Sequence, residues 1–314
     1  MNRNPARSNS CCRAIAFAVL IFCALACARP AHAALGRIEC NSVPSAILHR
    51  PVRYCAILPP SYDSQKSRRY PILYFLHGLG SNEQFLVVSG GWNIVEDEWQ
   101  QKKIGEFLIV TPAADTTFYI NSRDGRVRYE DFFLREFIPF IESHYRVTAK
   151  RADRAIGGIS MGGYGALHLA FAHPKLFVSV TANSAALFEK LPNVRVANPQ
   201  QSPLLRALHA FGIPPDPAFW RRNDPLRLAR VANLSGLRIY FDCGAEDDYG
   251  FEYGAQALHD VLAARKIRHE FHLYPGHHDA QYFAAHLPAV MEFQSRELGL
   301  AHDRRVPATP SSRK

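Results

Sequence analysis

The sequence predicts an α/β protein with a mostly parallel central sheet and helices on both faces, on three observations. Apolar runs rich in Ile, Leu, Val, Phe and Tyr recur at 71–76, 106–111, 154–159, 177–181, 237–241 and 270–274, each of a length and composition that suits a buried strand. Helix-length patterns separate them: Tyr129 to Tyr145, with Phe132, Phe133, Phe137, Ile138 and Ile141 at helical spacing, then Gly162 to Ala172, Tyr253 to Ala264 and Ala280 to Leu298. Strand and helix in alternation imply parallel pairing covered on both sides. Thirdly, the stretch from about 185 to 233 breaks the rhythm with Pro203, Pro214, Pro215, Pro217 and Pro225, and is expected as an insertion over the carboxyl end of the sheet.

Residues 1–33 read as a secretory signal rather than as part of the fold. Arg3, Arg7 and Arg13 open it, Ala14 to Ala28 is almost unbroken apolar chain, and Ala31-His32-Ala33 offers small residues for cleavage. The apolar run falls short of the roughly 20 residues that span a bilayer as a helix, so export without a stable membrane anchor is expected. Acylation at Cys27 is the minor alternative. Residues 34–300 then form a single domain large enough to bury its own core, and the Pro- and Ser-containing residues 301–314 read as a disordered tail.

The formal charge of +9 falls to +5 without Arg3, Arg7, Arg13 and Arg29, and a further +3 belongs to the tail. The domain itself is near neutral, with no basic face of the kind that binds nucleic acid. Of seven cysteines, Cys40, Cys55 and Cys243 remain after the leader. Cys40 and Cys55 flank a turn at Leu48-His49-Arg50-Pro51 between two short strands, and an oxidising compartment would let them pair. Closing such a loop stabilises by about 3 kcal/mol. Cys243 reads as a small core residue, with a supporting role beside an acidic loop left open.

A serine hydroxyl is a poor nucleophile until it is exposed on a rigid turn, deprotonated and given donors for the oxyanion it creates. The strand ending at Ile159 runs into Gly158-Ile159-Ser160-Met161-Gly162 and then into the Gly162 to Ala172 helix. This strand, tight turn and helix is the context that a Gly-x-Ser-x-Gly motif needs, and it points to the α/β-hydrolase fold with Ser160 as nucleophile. Met161 N–H is placed to donate to an oxyanion. The strand at 71–76 ends in His77-Gly78-Leu79-Gly80, which nominates Leu79 N–H as the second donor and His77 as a residue that orients the turn.

The acid and base of this fold follow the serine in the order Ser, Asp or Glu, His, each after a strand. After 237–241 comes Asp242-Cys243-Gly244-Ala245-Glu246-Asp247-Asp248, and after 270–274 comes Pro275-Gly276-His277-His278-Asp279. Asp247 is the expected acid, with Asp248 its nearest rival and Asp242 and Glu246 behind it. His278 is the expected base, with His277 second. Neither a His-Glu-x-x-His helix nor a Cys-x-x-Cys pair is present, so no metal and no cofactor is expected. The remaining histidines, among them His168, His173, His259, His269, His272 and His286, read as surface or core residues.

Three segments carry a family resemblance: His77-Gly78-Leu79-Gly80, Gly157 to Gly165 around Ser160, and Cys243-Gly244-Ala245-Glu246-Asp247. With them, the chain from Arg53 to the histidine loop resembles the esterase D and feruloyl esterase-like group, whose relatives include S-formylglutathione hydrolases and mycobacterial mycolyltransferases. The resemblance implies ester hydrolysis by Ser160, Asp247 and His278, with Leu79 and Met161 as oxyanion amides. An acyltransferase acting on a sugar or glycolipid is the alternative, and a non-catalytic binding protein on the same scaffold a weaker one. The chain departs from the family's Gly-Gly-His-Asp-Trp at Gly276-His277-His278-Asp279-Ala280. His277 replaces a glycine and Ala280 the tryptophan, so the family's aromatic wall and acyl specificity are not carried over.

Overall fold

The computed structural model describes residues 35–190 and 207–300. The proposed leader, the tail and the middle of the 185–233 insertion lie outside the described residues. The described strands are β1 (Arg37–Val43), β2 (Val52–Leu58), β3 (Ile72–Leu76), β4 (Leu108–Pro112), β5 (Arg154–Ile159), β6 (Ser179–Asn183), β7 (Arg238–Gly244) and β8 (Glu270–Tyr274). They form one sheet in the order β1-β2-β4-β3-β5-β6-β7-β8. β1 and β2 pair antiparallel, β2 joins β4 antiparallel, and every pairing from β4 to β8 is parallel.

Side chains alternate across a strand, and the central strands use that alternation to supply two cores. Ile72, Tyr74 and Leu76 of β3 join one cluster with Val110, Ile156 and Val180. Leu73 and Phe75 join the other with Ile109, Ala155 and Ile159. Both faces therefore need helices. The first is covered by α3 (Tyr129–Phe132), which continues through a π-turn at Phe133–Phe137 into α4 (Ile138–His144), and by α5 (Met161–Ala172) and α8 (Phe251–Ala264). The second is covered by α2 (Gly91–Gln100), which follows the single turn α1 (Phe85–Val88), and by α9 (Ala280–Glu297). α5 is buried at all but its last residue, as a helix apolar on every side must be.

The structure moves several expected boundaries. β6 begins two residues later than the run at 177–181, and β7 extends past Phe241 to Gly244. These ends are polar, yet pairing carries them on: Asn183 lies opposite Asp242 and donates from Nδ2 to its Oδ2 at 2.9 Å. The stretch from Ser81 to Trp92 holds α1 and the start of α2, whose entry needs Gly90 at φ 80°. Within the insertion, α6 (Pro217–Asn223) packs on α7 (Pro225–Val231), and α7 packs on α5 and α8. Tyr164 Oη of α5 donates to the Asn223 carbonyl at 2.8 Å.

Cys40 and Cys55 face each other in the β1–β2 register and are joined by a disulfide. Gln294, fully buried in α9, ties that helix to the sheet. It accepts from Ser179 Oγ at 2.5 Å and its Nε2 reaches the Ile156 carbonyl and Thr181 Oγ1, both at 3.0 Å.

The turn from β5 to α5 leaves no room at its glycines. A Cβ on Gly162 would sit 2.0 Å from the Leu76 carbonyl oxygen, and one on Gly158 would sit 2.5 Å from the Gly162 backbone. Backbone atoms cannot yield as a flexible side chain can. Gly162→Ala is therefore expected to destabilise by about 1–3 kcal/mol, read as a lowered Tm; an unchanged Tm would contradict this packing.

Glu130 joins α3 to α5 through His168 Nε2 at 3.2 Å and His173 Nε2 at 2.9 Å. Burial works against its ionisation, but the two histidines outweigh burial and bring its carboxyl down to about 2. A carboxyl depressed on folding stabilises above its unfolded value and loses that contribution as acid is added, here between about 4.5 and about 2. Glu130→Gln should thus cost on the order of 1–3 kcal/mol at neutral pH. It should also flatten the fall of Tm with pH across that acid window.

Candidate active site

Ser160 stands between β5 and α5 with φ 53° and ψ −120°, a conformation unfavourable for a residue with a Cβ and held only where the surroundings impose it. Its N–H donates to the Asn183 carbonyl at 2.9 Å, and its own carbonyl accepts from Ala186 N and Tyr164 N, each at 3.0 Å. The side chain is thereby lifted off the sheet edge at the head of a helix whose first amides have no partner within the helix.

His278 arrives from the loop after β8. Its Nε2 lies 2.9 Å from Ser160 Oγ and its Nδ1 lies 2.7 Å from Asp247 Oδ2. Three loops, after β5, β7 and β8, converge on this one line of atoms. Asp247 is buried, and burial alone would raise its carboxyl. The hydrogen bond from His278 and the amides of Tyr249 and Phe251 overcome this and leave it below the usual carboxylate range. Cys243, buried at the end of β7, directs its thiol to Asp247 Oδ2 at 3.6 Å.

The other candidate acids are elsewhere. Asp248 accepts from the backbone N–H of His278 at 3.1 Å and lies 3.4 Å from His277 Nδ1. Glu246 accepts from Gly276 N–H at 2.7 Å. Asp242 is interior to β7, where Tyr282 Oη donates to it at 2.8 Å. Burial pushes its carboxyl up to about 7 in spite of the hydrogen bonds from Tyr282 and Asn183. Glu246 and Asp248 thus brace the histidine loop, and the His277 ring is exposed.

On the opposite side, the loop after β3 comes in close: a Cβ on Gly78 would lie 3.3 Å from Ser160 Cβ. His77 pins this loop from beneath. Its Nε2 accepts from Ala114 N–H at 3.0 Å, which leaves Nδ1–H to donate to the Gly78 carbonyl at 2.8 Å. Burial lowers the His77 pKa, in keeping with a neutral ring in a fixed tautomer. Leu79 and Met161 both line the cleft that opens over Ser160, one on each side of it in the chain path.

This cleft, about 720 Å³, is walled mostly by apolar side chains. Its aromatic wall is present in spite of Ala280. Tyr249, Phe251 and Phe283 place their rings edge-on to His278 at 4.9, 5.3 and 5.2 Å between centroids. None of these three stood out in the sequence. Phe283 lies one helical turn beyond Ala280, so the only sequence signal was helical spacing within α9. Among the described residues, no group of three or more His, Cys, Asp or Glu side chains is arranged to hold a metal ion. No described helix is long and apolar enough to cross a membrane.

Comparison with known proteins agrees with this architecture. A ferulic acid esterase structure superposes with a TM-score of 0.73 at 25% identity, over 84% of this chain and 99% of that one. An acetyl esterase of Caldicellulosiruptor saccharolyticus is 34% identical over 46% of the chain and 54% of its own length. An esterase of Mycobacterium tuberculosis is 28% identical over 71% of the chain and 51% of its own length. The chain thus spans about half the length of these curated relatives. Residues 45–293 match the Esterase family model, described as "Putative esterase". With its mostly parallel sheet, its helices on both faces and this match across most of its length, the chain is an α/β-hydrolase-fold protein that belongs to the esterase family.

Proposed function

We propose that the chain is an exported carboxylic ester hydrolase with Ser160 as nucleophile, His278 as general base and acid, and Asp247 as the carboxylate that orients His278. The observation that carries this reading is the His278 ring, whose two nitrogens reach Ser160 Oγ at 2.9 Å and Asp247 Oδ2 at 2.7 Å. A serine, imidazole and carboxylate in this contact are the components of acyl transfer by a covalent intermediate.

Ser160 Oγ attacks the ester carbonyl carbon while its proton passes to His278 Nε2. The oxyanion is received by the amides of Leu79 and Met161, which replace water as donors. Collapse expels the alcohol with the proton from His278 and leaves the acyl group esterified to Ser160. Water then attacks, gives its proton to His278, and the carboxylic acid departs as Ser160 regains its hydrogen. Asp247, kept ionised, holds Nδ1–H throughout and balances the charge that His278 gains in each half-reaction.

Export is supported by the signal-like residues 1–33 and by the Cys40–Cys55 disulfide, a bond that persists in oxidising compartments and is rare in reducing ones. The acetyl esterase relative and the ferulic acid esterase neighbour support an ester as substrate.

Ser160→Ala is expected to abolish both hydrolysis of p-nitrophenyl acetate and labelling by a fluorophosphonate probe, with the Tm retained. Turnover by that variant would refute the assignment. Asp247→Asn is expected to lower kcat by roughly 10³–10⁴-fold, as removal of an orienting carboxylate does in such triads. Asp248→Asn, which disturbs only the brace on the histidine loop, is expected to cost about tenfold or less. Equal losses from the two variants would reverse the distinction between them.

A further inference from the structure

The cleft over Ser160 crosses the carboxyl edge of the sheet and draws its walls from both cores. On one side stand Phe118, Met161, Leu208 and Phe251, which belong to the core beneath α5. On the other a lobe opens between α1, α2 and α9, and its walls differ in kind. α9 presents Ala280, Ala284 and Leu287 to it, with Phe283 beside them. These positions fall on one face of a helix at spacings of four and seven residues. Ala280 and Ala284 are exposed to the cleft, so this face is a shallow track rather than a packed surface. The facing wall is Phe85 and Leu86 of α1 with Gly91 and Ile94 of α2, and Phe75 and Ile159 close the floor.

The inner end of this lobe is apolar. A Cβ on Gly91 would lie 2.9 Å from Leu86 Cδ2 and 3.4 Å from Leu287 Cδ2, so these three residues meet and stop the track. Its uncharged polar side chains, Ser81 and Ser89, keep contact with solvent. No Lys or Arg lines the cleft among the described residues; its amide and carboxylate acceptors lie away from the inner end, at Asn183 at the end of β6 and at Asp279, which caps α9 through Oδ1. At the inner end, among Leu86, Gly91 and Leu287, a ligand group with a hydroxyl, methoxyl or charged end would be desolvated without a partner, which costs free energy. An alkyl chain incurs no such cost and gains with each methylene buried. From Ala280 to Leu287 the helix face covers about 10 Å of axis, the span of a medium-length chain.

We propose that this lobe binds the unbranched alkanoyl chain of a medium-chain ester, with Ala284 and Ala280 leaving the track open and Leu287, Leu86 and Gly91 ending it. This inference rests on the esterase reading above and adds the substrate class to it. The small residue at Ala280 acquires a role: a large side chain there or at Ala284 would stand in the track.

The test compares kcat/KM for p-nitrophenyl acetate, butyrate, octanoate and palmitate, together with methyl octanoate against methyl ferulate. Values should rise from acetate to octanoate, by up to about fourfold per added methylene, and fall again at palmitate. Ala284→Trp should lower the octanoate-to-acetate ratio by about tenfold or more. Because both esters report the same folded population, that ratio is unaffected by a partial loss of folded enzyme. A flat or falling profile from acetate to octanoate overturns the inference and leaves the esterase reading standing. So does methyl ferulate turned over in preference to methyl octanoate, or a ratio unchanged by Ala284→Trp. Hydrolysis of none of these esters, acetate included, would remove the esterase reading and this inference with it.

Discussion

The close approach of Gly158, Gly162 and the Leu76 carbonyl is the constraint on which the rest of the site depends. It lets β5 turn into α5 with no room for side chains on either glycine, and that geometry forces Ser160 into the positive-φ half of backbone space at φ 53°. The same approach brings the Leu76–Gly78 strand end against the serine. One packing event thus exposes the hydroxyl and brings the loop that bears Leu79 to its side. The strain at Ser160 is held by three backbone hydrogen bonds, to Asn183, Tyr164 and Ala186, so it is distributed over β6, α5 and the loop after β6.

Around that turn, the ends of the strands form a buried polar layer linked by side-chain hydrogen bonds. Asn183 bonds Asp242, Asp242 bonds Tyr282 of α9, Cys243 bonds Asp247, and Asp247 bonds His278. Hydrogen bonds are strengthened and unpaired charges are made costly by the low local dielectric. The two buried aspartates show both sides of this. Asp247, paired with His278, stays ionised, whereas Asp242, offered only neutral donors, is driven up to about 7. The aromatic rings of Tyr249, Phe251 and Phe283 complete the enclosure of His278.

Much of the fold and of the candidate site was legible in the sequence. Strands β3 to β7 announced themselves because they are buried on both faces, which favours apolar runs such as Ile72 to Leu76, whereas β8, expected as a buried strand, ends the described sheet with none of its residues buried. The serine turn and the order of the acidic and histidine loops followed from glycine spacing and chain order. What the chain text concealed had physical causes. The last residues of β6 and β7, Asn183 and Asp242, are polar and look like loop, but pairing across the sheet and a side-chain hydrogen bond hold them in strand. α1 and α2 were hidden because a short turn and a Gly-Gly entry resemble a loop. The proline-rich insertion lines the cleft at the carboxyl end of the sheet with Ala186, Phe188, Ala207 and Leu208, and its described helices also brace α5 from the side.

The sequence by itself determined the α/β class, the serine turn and the shortlist of acids and bases, because each rests on local rules of periodicity, glycine placement and chain order. Tertiary structure alone decided which of four carboxylates meets His278, since Asp242, Glu246, Asp247 and Asp248 are neighbours in the chain and only the folded loop sends them to different partners. It also decided the shape of the cleft. Ala280, Ala284 and Leu287 on α9 oppose Gly91 and Ile94 on α2, a pairing of segments nearly two hundred residues apart that no local pattern encodes, because it arises only when two helices pack on the same face of the sheet.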